Sequence, residues 1–109
     1  MLCLATSARD PAALAAACRE LRLRPPERQE NVRLGTEQAC GWPVRLAGLR
    51  RPAVFDLRRG LVCYHPQDNA HERFALLMRF VRLVHVVQGR LRHASDAGGR
   101  LAPLRKEAV

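Results

Sequence analysis

The chain has 109 residues, of which 48% are apolar, and its 19 basic and 10 acidic side chains give a formal net charge of +9. This length allows one small domain and leaves no room for a second. The sequence contains no apolar run of about 18 residues that could span a membrane, and its start lacks the pattern of a secretory signal. We therefore expect a cytoplasmic protein without a membrane partner.

The first quarter of the sequence predicts a strand followed by a helix. Residues 2–6 are apolar and partly compatible with a strand. Asp10 is suited to cap the first turn of a helix, and Pro11 fits the first helical position, where its missing N–H costs nothing. The helix is expected to end before two consecutive prolines at 25 and 26, because the residue before a proline avoids the helical region.

The middle of the sequence predicts a loop, a strand and a hairpin. Residues 27–41 are mostly polar and predict a long loop, in which Val32–Leu34 could form a short extended piece. Residues 42–49 alternate between apolar and polar side chains, which is typical of a strand with one buried face. Two apolar runs, 53–57 and 61–64, flank an Arg-Arg-Gly triplet. The last residue of this triplet, Gly60, can adopt the left-handed conformation that ends many three-residue hairpin loops.

The C-terminal part predicts a turn at 66–69 and a long helix from about residue 70 to about residue 92. A Gly-Gly pair then predicts a loose tail over residues 96–109. The order strand, helix, strand, hairpin, helix predicts an α+β fold with a single domain over residues 1–95. We expect a two-layer sandwich, in which two helices cover one face of a mainly antiparallel sheet.

Residues 71–85 read HERFALLMRFVRLVH and raise the question of a zinc-peptidase helix. Such a helix needs His-Glu-x-x-His, with two histidines four residues apart on one face. Here the fourth residue after His71 is Ala75, and the next histidine, His85, lies about 21 Å further along a helix. The two imidazoles cannot share one metal ion, so the stretch does not predict a metal site.

The remaining reactive residues form no recognisable catalytic motif. The only serines are Ser7 and Ser95, the glycines are isolated before the tail, and Asp56 is expected to face solvent within the hairpin. Cys63 and His65 near a strand end could offer a thiolate and an imidazole, although a buried cysteine beside a turn histidine is favoured. We therefore expect no enzyme activity, no cofactor and no metal.

The four cysteines are scattered along the chain without a C-x-x-C pair. Without an export signal, reduced thiols are expected rather than disulfides. Cys3 and Cys63 stand in apolar stretches, where a cysteine behaves as a small buried hydrophobic residue.

The predicted long helix has more apolar surface than one sheet can cover. Its apolar arc spans well over half of the helical wheel, whereas a helix on one sheet needs a stripe of about 100°. The surplus can be covered by the first helix and the tail, by a second copy of the chain, or by a protein partner. The residues predicted to bury against a partner are Phe80, Leu83 and Val87. Those predicted to pair with its acidic groups are Arg79, Arg82 and Arg90.

A second hypothesis is a basic nucleic-acid-binding accessory subunit. Five arginines near the central strand and hairpin are predicted to contact phosphates or an acidic partner: Arg45, Arg50, Arg51, Arg58 and Arg59. The chain has only five aromatic residues, so stacking on unpaired bases is unsupported and non-specific phosphate binding is the remaining possibility.

Residues 9–21 (RDPAALAAACREL), residues 44–64 (VRLAGLRRPAVFDLRRGLVCY) and the long helix carry a family resemblance. Over residues 2–95 the chain resembles the hypothetical plastid reading frame 35 family of small proteins, which also occurs in cyanobacteria and other bacteria. The resemblance implies no catalytic residues. It suits an adaptor, because similar proteins are thought of as accessory partners of ATPases.

A weaker similarity links ERFALLMRFVRLVH to the helix of small ImmA-type metallopeptidases. Met78, Arg79 and Arg82 stand where those enzymes hold His, Glu and His. The similarity implies a catalytically dead metallopeptidase-like regulator. The interpretation that we favour from the sequence is a non-enzymatic adaptor that acts through protein contacts.

Overall fold

Five antiparallel strands and two helices make up the protein, in a computed structural model that describes the backbone of residues 1–104 and the side chains of residues 1–94. The strands lie in the order β1-β5-β4-β3-β2, and both helices pack against the same face of the sheet. This confirms the predicted α+β two-layer sandwich. The elements are β1 (Leu2–Ala5), α1 (Pro11–Glu20), β2 (Gln29–Leu34), β3 (Glu37–Val44), β4 (Ala53–Asp56), β5 (Leu61–Tyr64), a 3-10 turn (Pro66–Asn69) and α2 (His71–Leu104).

Helix α1 begins as its sequence predicts. The Asp10 carboxylate accepts a hydrogen bond from the Ala12 N–H at 2.9 Å, and Pro11 occupies the first turn. Spacings of one, three and four residues bring the small apolar side chains onto one buried face. That face consists of Ala13, Leu14, Ala17 and Cys18.

The end of α1 is set by a left-handed residue rather than by the prolines. Arg22 has a φ of 58°, the Arg22 N–H donates to the Arg19 carbonyl, and the Leu23 N–H donates to the Cys18 carbonyl. This pair of bonds closes a helix C-terminus in the Schellman pattern, where glycine is the usual left-handed residue. The helix therefore ends before the chain reaches the prolines.

Residues 27–41 do not form the predicted loop, although the extended piece considered at Val32–Leu34 lies within β2. They contain β2 and most of β3, which pair as a hairpin around a turn with Gly35 at a φ of 77°. Only three side chains of this hairpin combine burial with apolar character: Val32, Leu34 and Ala39. Their number is too small, within a polar stretch, to produce a clear alternating pattern.

Strand β3 changes its partner at Gly41. Residues up to Gly41 pair with β2, whereas residues 42–44 pair with β4. A side chain at position 41 would collide with the backbone of Phe55. Strands β3 and β4 can therefore approach this closely only with glycine at position 41. The β2–β3 hairpin forms a second apolar cluster with Val54 and Cys63, on the opposite face of the sheet from the helices.

The β4–β5 hairpin is confirmed, although its loop is one residue longer than expected. Asp56 pairs with Leu61, so the loop consists of residues 57–60 and contains Gly60 at a φ of 67°. Asp56 is not the solvent-facing residue that was expected: its side chain is 14% exposed and pairs with Arg59. The predicted strand over residues 42–49 ends earlier, at Val44.

Helix α2 supplies most of the helical contribution to the main core. Its buried apolar side chains are Leu77, Phe80, Val81, Val84 and Val87. The helix continues to Leu104, past the end expected near residue 92. The predicted tail over residues 96–109 therefore falls partly within α2, and residues 105–109 lie outside the described part of the chain.

Candidate functional site

An apolar groove with a volume of about 380 Å³ opens between the end of α1, the loop after β3 and the first half of α2. Its lining is aliphatic and aromatic apart from one arginine. The lining residues are Leu21, Leu23, Leu46, Ala47, Leu76, Arg79, Phe80 and Leu83. We refer to these eight residues as the apolar groove.

Local structure explains why these side chains meet. On α2, Leu76, Phe80 and Leu83 lie four and three residues apart and so share one face. The left-handed turn at the end of α1 leaves Leu21 49% exposed, while Leu23 packs on the core. The loop after β3 passes close to α2, since a Cβ at Gly48 would lie 2.7 Å from Leu76 Cδ1. The apolar groove is thus an assembly of three separate segments.

The apolar residues of α2 that were predicted to contact a partner differ in their exposure to solvent. Phe80 is 2% exposed and Val87 is 3% exposed, so both belong to the chain's own core, and Phe80 also forms part of the wall of the apolar groove. A helical wheel shows that α2 is apolar on most sides, but it does not show which side α1 and the sheet cover. Leu83 is half-buried and lines the apolar groove.

The three predicted arginines of α2 also differ from each other. Arg90 Nη1 lies 3.3 Å from Glu20 Oε2 on α1, so this guanidinium already has an acidic partner within the chain. Arg79 and Arg82 are exposed, and neither forms a salt bridge with any side chain in residues 1–94. Arg79 and Arg82 therefore remain as the charged candidates on this helix.

The five arginines predicted around the hairpin do not form one patch. Arg45, Arg50 and Arg51 lie in the loop that enters β4, whereas Arg58 and Arg59 lie in the loop that leaves it. The two groups are therefore separated by the length of the strand. Arg45 lines a different depression, of about 510 Å³, which also contains Arg24, Glu27 and several prolines.

The loop that enters β4 is held by a buried carboxylate. Asp68 is fully buried, and its two oxygens accept hydrogen bonds from the backbone N–H groups of Arg50 at 2.8 Å and Arg51 at 3.0 Å. The Arg73 guanidinium lies 4.0 Å away. Asp68 thus fixes the backbone of this loop, while the Arg50 and Arg51 side chains stay exposed.

In the loop that leaves β4, Arg59 is contacted through its guanidinium and Arg58 through its backbone carbonyl. Arg59 Nε donates to Asp56 Oδ2 at 2.8 Å, and Arg9 Nη1 donates to the Arg58 carbonyl at 3.2 Å. Partial burial acts to raise the pKa of the Asp56 carboxyl, but the hydrogen bonds and charge of Arg59 outweigh it and lower this pKa. These contacts stabilise the loop.

His85, one of the two histidines considered as metal ligands, joins α2 to the segment after β1 by hydrogen bonds. His85 Nε2 contacts Thr6 Oγ1 at 2.8 Å and accepts a hydrogen bond from the Ser7 N–H at 3.2 Å. One turn further along, Gln88 accepts from the N–H groups of Arg9 and Asp10. No sequence pattern indicates this role of Gln88, because a glutamine within a helix is usually exposed.

Cys63 and His65 do not act as a pair. Cys63 Sγ lies 2.9 Å from Cys3 Sγ, whereas His65 Nδ1 accepts from the Gln67 N–H at 3.0 Å. Cys3 is exposed, contrary to the expectation of a buried side chain, and Cys63 is buried as expected. Within the described residues, no three His, Cys, Asp or Glu side chains cluster as metal ligands.

No helix in the described part of the chain is both long and apolar enough to cross a membrane. Comparison with family models, curated proteins and solved structures finds no match to this chain. The resemblances to the plastid reading frame 35 family and to the metallopeptidase helix therefore stay predictions.

Proposed function

We propose that this protein is a non-enzymatic adaptor that binds an acidic protein segment by burying apolar side chains of that segment in the apolar groove. The observation that carries the proposal is the combination, in one place, of an open aliphatic surface and an arginine, Arg79, that forms no salt bridge among residues 1–94. Such combinations favour protein partners, because apolar anchors supply affinity and rim charges supply orientation.

The chemistry of the lining supports binding rather than catalysis. Seven of the eight lining side chains are hydrocarbon, and the eighth is the guanidinium of Arg79. A guanidinium stays protonated at neutral pH, so it can bind a carboxylate but does not serve as a nucleophile or a general base. Leu21, at 49% exposure, is the lining residue with the most apolar surface still to bury.

The charge of the chain favours an acidic protein over a second copy of itself. Each copy carries a formal net charge of +9, so two copies that met at their arginine-bearing surfaces would repel each other. An acidic segment would instead be attracted to Arg79 and Arg82 and to the exposed arginines of the nearby loop.

A nucleic acid is the less suitable ligand for this surface. Phosphates need cationic groups but gain nothing from a hydrocarbon groove, and unpaired bases bind by stacking on aromatic side chains. The one aromatic ring of the apolar groove, Phe80, is 2% exposed and already packs edge-on against Phe55. Its faces are therefore not available to a base.

Selection from a random-peptide display library tests the proposal with a defined probe. The full chain is immobilised, and peptides are eluted and sequenced at physiological ionic strength. We expect the enriched peptides to share at least one large aliphatic or aromatic residue flanked by Asp or Glu. Enrichment of peptides without acidic residues, or of none at all, would contradict the proposal.

Two further measurements separate the other partner classes. Salt-dependent retention of DNA or RNA that is lost in an Arg79→Glu, Arg82→Glu variant would indicate a nucleic-acid ligand at this surface and overturn the proposal. A molar mass by light scattering that rises with concentration in the native chain but not in a Leu21→Asp variant would indicate self-association through the apolar groove, and would overturn it as well.

A further inference from the structure

We infer that Cys3 and Cys63 are a site of oxidative modification, at which a low-molecular-weight disulfide such as oxidised glutathione converts the two thiols into an intramolecular disulfide. Their sulfur atoms face each other at 2.9 Å across the β1–β5 pair. Both are free thiols in the structure. The inference is independent of the proposed function, because neither cysteine lines the apolar groove.

The register of the two strands places this pair where a disulfide fits. Cys3 lies directly opposite Cys63. Thr6 and Gly60, three positions further along the same register, form a hydrogen-bonded pair through the Thr6 N–H and the Gly60 carbonyl, at 2.8 Å. Because hydrogen-bonded and non-hydrogen-bonded pairs alternate along an antiparallel ladder, Cys3 and Cys63 form a non-hydrogen-bonded pair.

The geometry of a non-hydrogen-bonded pair is compatible with a covalent bond. Such pairs have Cα atoms about 4.5 Å apart, which falls within the range of about 4.4–6.8 Å found for disulfides. The side chains of such a pair also stand on the same face of the sheet. The sulfurs can therefore be joined by rotation of the side chains, without moving either strand.

The two thiols differ in their access to solvent, which gives them different roles. Cys3 is exposed on the edge strand β1, whereas Cys63 is 5% exposed beneath the β2–β3 hairpin. An oxidant in solution can therefore reach Cys3 but not Cys63. Cys3 is therefore the thiol that attacks the oxidant. Cys63, whose sulfur lies 2.9 Å away, is the resolving thiol that then attacks the Cys3 sulfur.

The reaction proceeds in two balanced exchange steps. In the first, Cys3 loses its proton and attacks one sulfur of the oxidised glutathione; a Cys3–glutathione bond forms, the glutathione S–S bond breaks, and one glutathione leaves as a thiol. In the second, Cys63 loses its proton and attacks the Cys3 sulfur, expelling the second glutathione. The protein loses two electrons and two protons, which the two glutathione thiols carry.

The burial of Cys63 also protects the product. Burial, reinforced by the neighbouring Cys3 thiol, raises the pKa of Cys63 to about 12. When a reductant attacks the exposed Cys3 sulfur, it must expel this weakly acidic thiol, and a high pKa makes a poor leaving group. Attack at the Cys63 sulfur is blocked because that sulfur is buried. Formation is slowed by the same high pKa, but the contact between the sulfurs compensates.

The disulfide would stabilise the edge of the sheet. The side chains of β1 are largely exposed, so the strand depends mainly on backbone pairing with β5. A bond between residues 3 and 63 closes a long loop and restricts the unfolded chain. We expect it to raise the melting temperature by about 10 °C or more.

Peptide mapping of the full chain tests the inference directly. A Cys40→Ser variant removes the other exposed thiol and, with it, disulfides between copies that involve Cys40. After treatment with oxidised glutathione and alkylation, trypsin should release residues 1–9 joined to residues 60–73, with two hydrogen atoms fewer than the separate peptides. The melting temperature should rise and should return to its original value after full reduction.

A Cys3→Ser, Cys40→Ser variant is the matched control, because position 3 is exposed and tolerates the change without unfolding the chain. It should show neither the cross-linked peptide nor the rise in melting temperature. The inference is overturned if the parent variant instead yields residues 1–9 carrying glutathione on Cys3 together with alkylated Cys63, or if both peptides are recovered with free thiols.

Discussion

The loops at the two ends of β4 both carry adjacent arginines, but the protein uses them in opposite ways. In the loop that leaves the strand, Arg59 is tied to Asp56 through its guanidinium. In the loop that enters it, Arg50 and Arg51 are held by their backbone N–H groups on Asp68, so their side chains stay exposed. An acidic residue that binds the backbone leaves the arginine charge available, and one that binds the side chain does not.

This contrast separates an arginine whose charge is paired within the protein from arginines whose side chains stay exposed. The entering loop also contributes Leu46 and Ala47 to the apolar groove, so its exposed arginines lie near an apolar surface. The leaving loop lies at the other end of the strand, away from that surface. A count of arginines cannot distinguish the two loops, whereas their hydrogen-bond partners can.

The largest effect is expected from Asp68→Ala. The change leaves the Arg50 and Arg51 N–H groups without their acceptors in a buried place, which costs about 2–4 kcal/mol of unfolding free energy. Asp68→Asn keeps one acceptor oxygen and should cost less. Urea unfolding of both variants measures the difference. If Asp68→Ala lowers the free energy of unfolding by no more than Asp56→Ala does, the two aspartates stabilise their loops equally, which would contradict this prediction.

A smaller, pH-dependent effect is expected from Asp56→Asn. Arg59 lowers the pKa of the folded Asp56 carboxyl, so the ionised form stabilises the native state. Its contribution, about 1 kcal/mol for a pair with an exposed arginine, is complete above the unfolded pKa of about 4 and is lost as the pH falls through the lower folded value. Urea unfolding at several pH values should show that the difference in unfolding free energy between the native chain and the variant shrinks in acid. A difference in unfolding free energy that does not change with pH would contradict a stabilising ion pair between Asp56 and Arg59.

The smallest effect is a gain in stability from Arg22→Gly. Arg22 has a φ of 58°, a conformation that a residue with a Cβ adopts at a cost and glycine adopts freely. We expect a gain of about 0.5–1 kcal/mol by thermal or urea unfolding. Arg22→Ala removes the same charge but keeps the strained Cβ, and it should show no such gain. Equal gains in both variants would assign the effect to charge.

Local signals in the sequence predicted the parts of the fold that depend on neighbouring residues. Asp10 and Pro11 predicted the start of α1, and Gly60 predicted the β4–β5 hairpin. The β2–β3 hairpin was missed because it is specified by a few buried side chains and by Gly41, whose role depends on a strand that follows later in the chain.

The candidate site was predicted only in part, and for a physical reason. A helical wheel identifies α2 as broadly apolar, but the side that stays open is decided by where α1 and the sheet pack. Val87 therefore proved to be a core residue, Phe80 belongs both to the core and to the wall of the apolar groove, and Leu83 and Arg79 line that groove. The exposure of Leu21 likewise follows from the left-handed turn at Arg22, which no local pattern indicates.

The most direct test of the docking surface is a fluorescence-anisotropy titration of a display-selected acidic peptide against three forms of the full chain. Arg79→Glu reverses the charge that lines the apolar groove, and Arg92→Glu makes the same change at an exposed position of α2 near the start of α1. We expect Arg79→Glu to raise the Kd by about tenfold or more, while Arg92→Glu leaves it nearly unchanged. Equal weakening by both variants would show that binding depends only on the overall charge. No weakening by either variant would show that the peptide binds elsewhere.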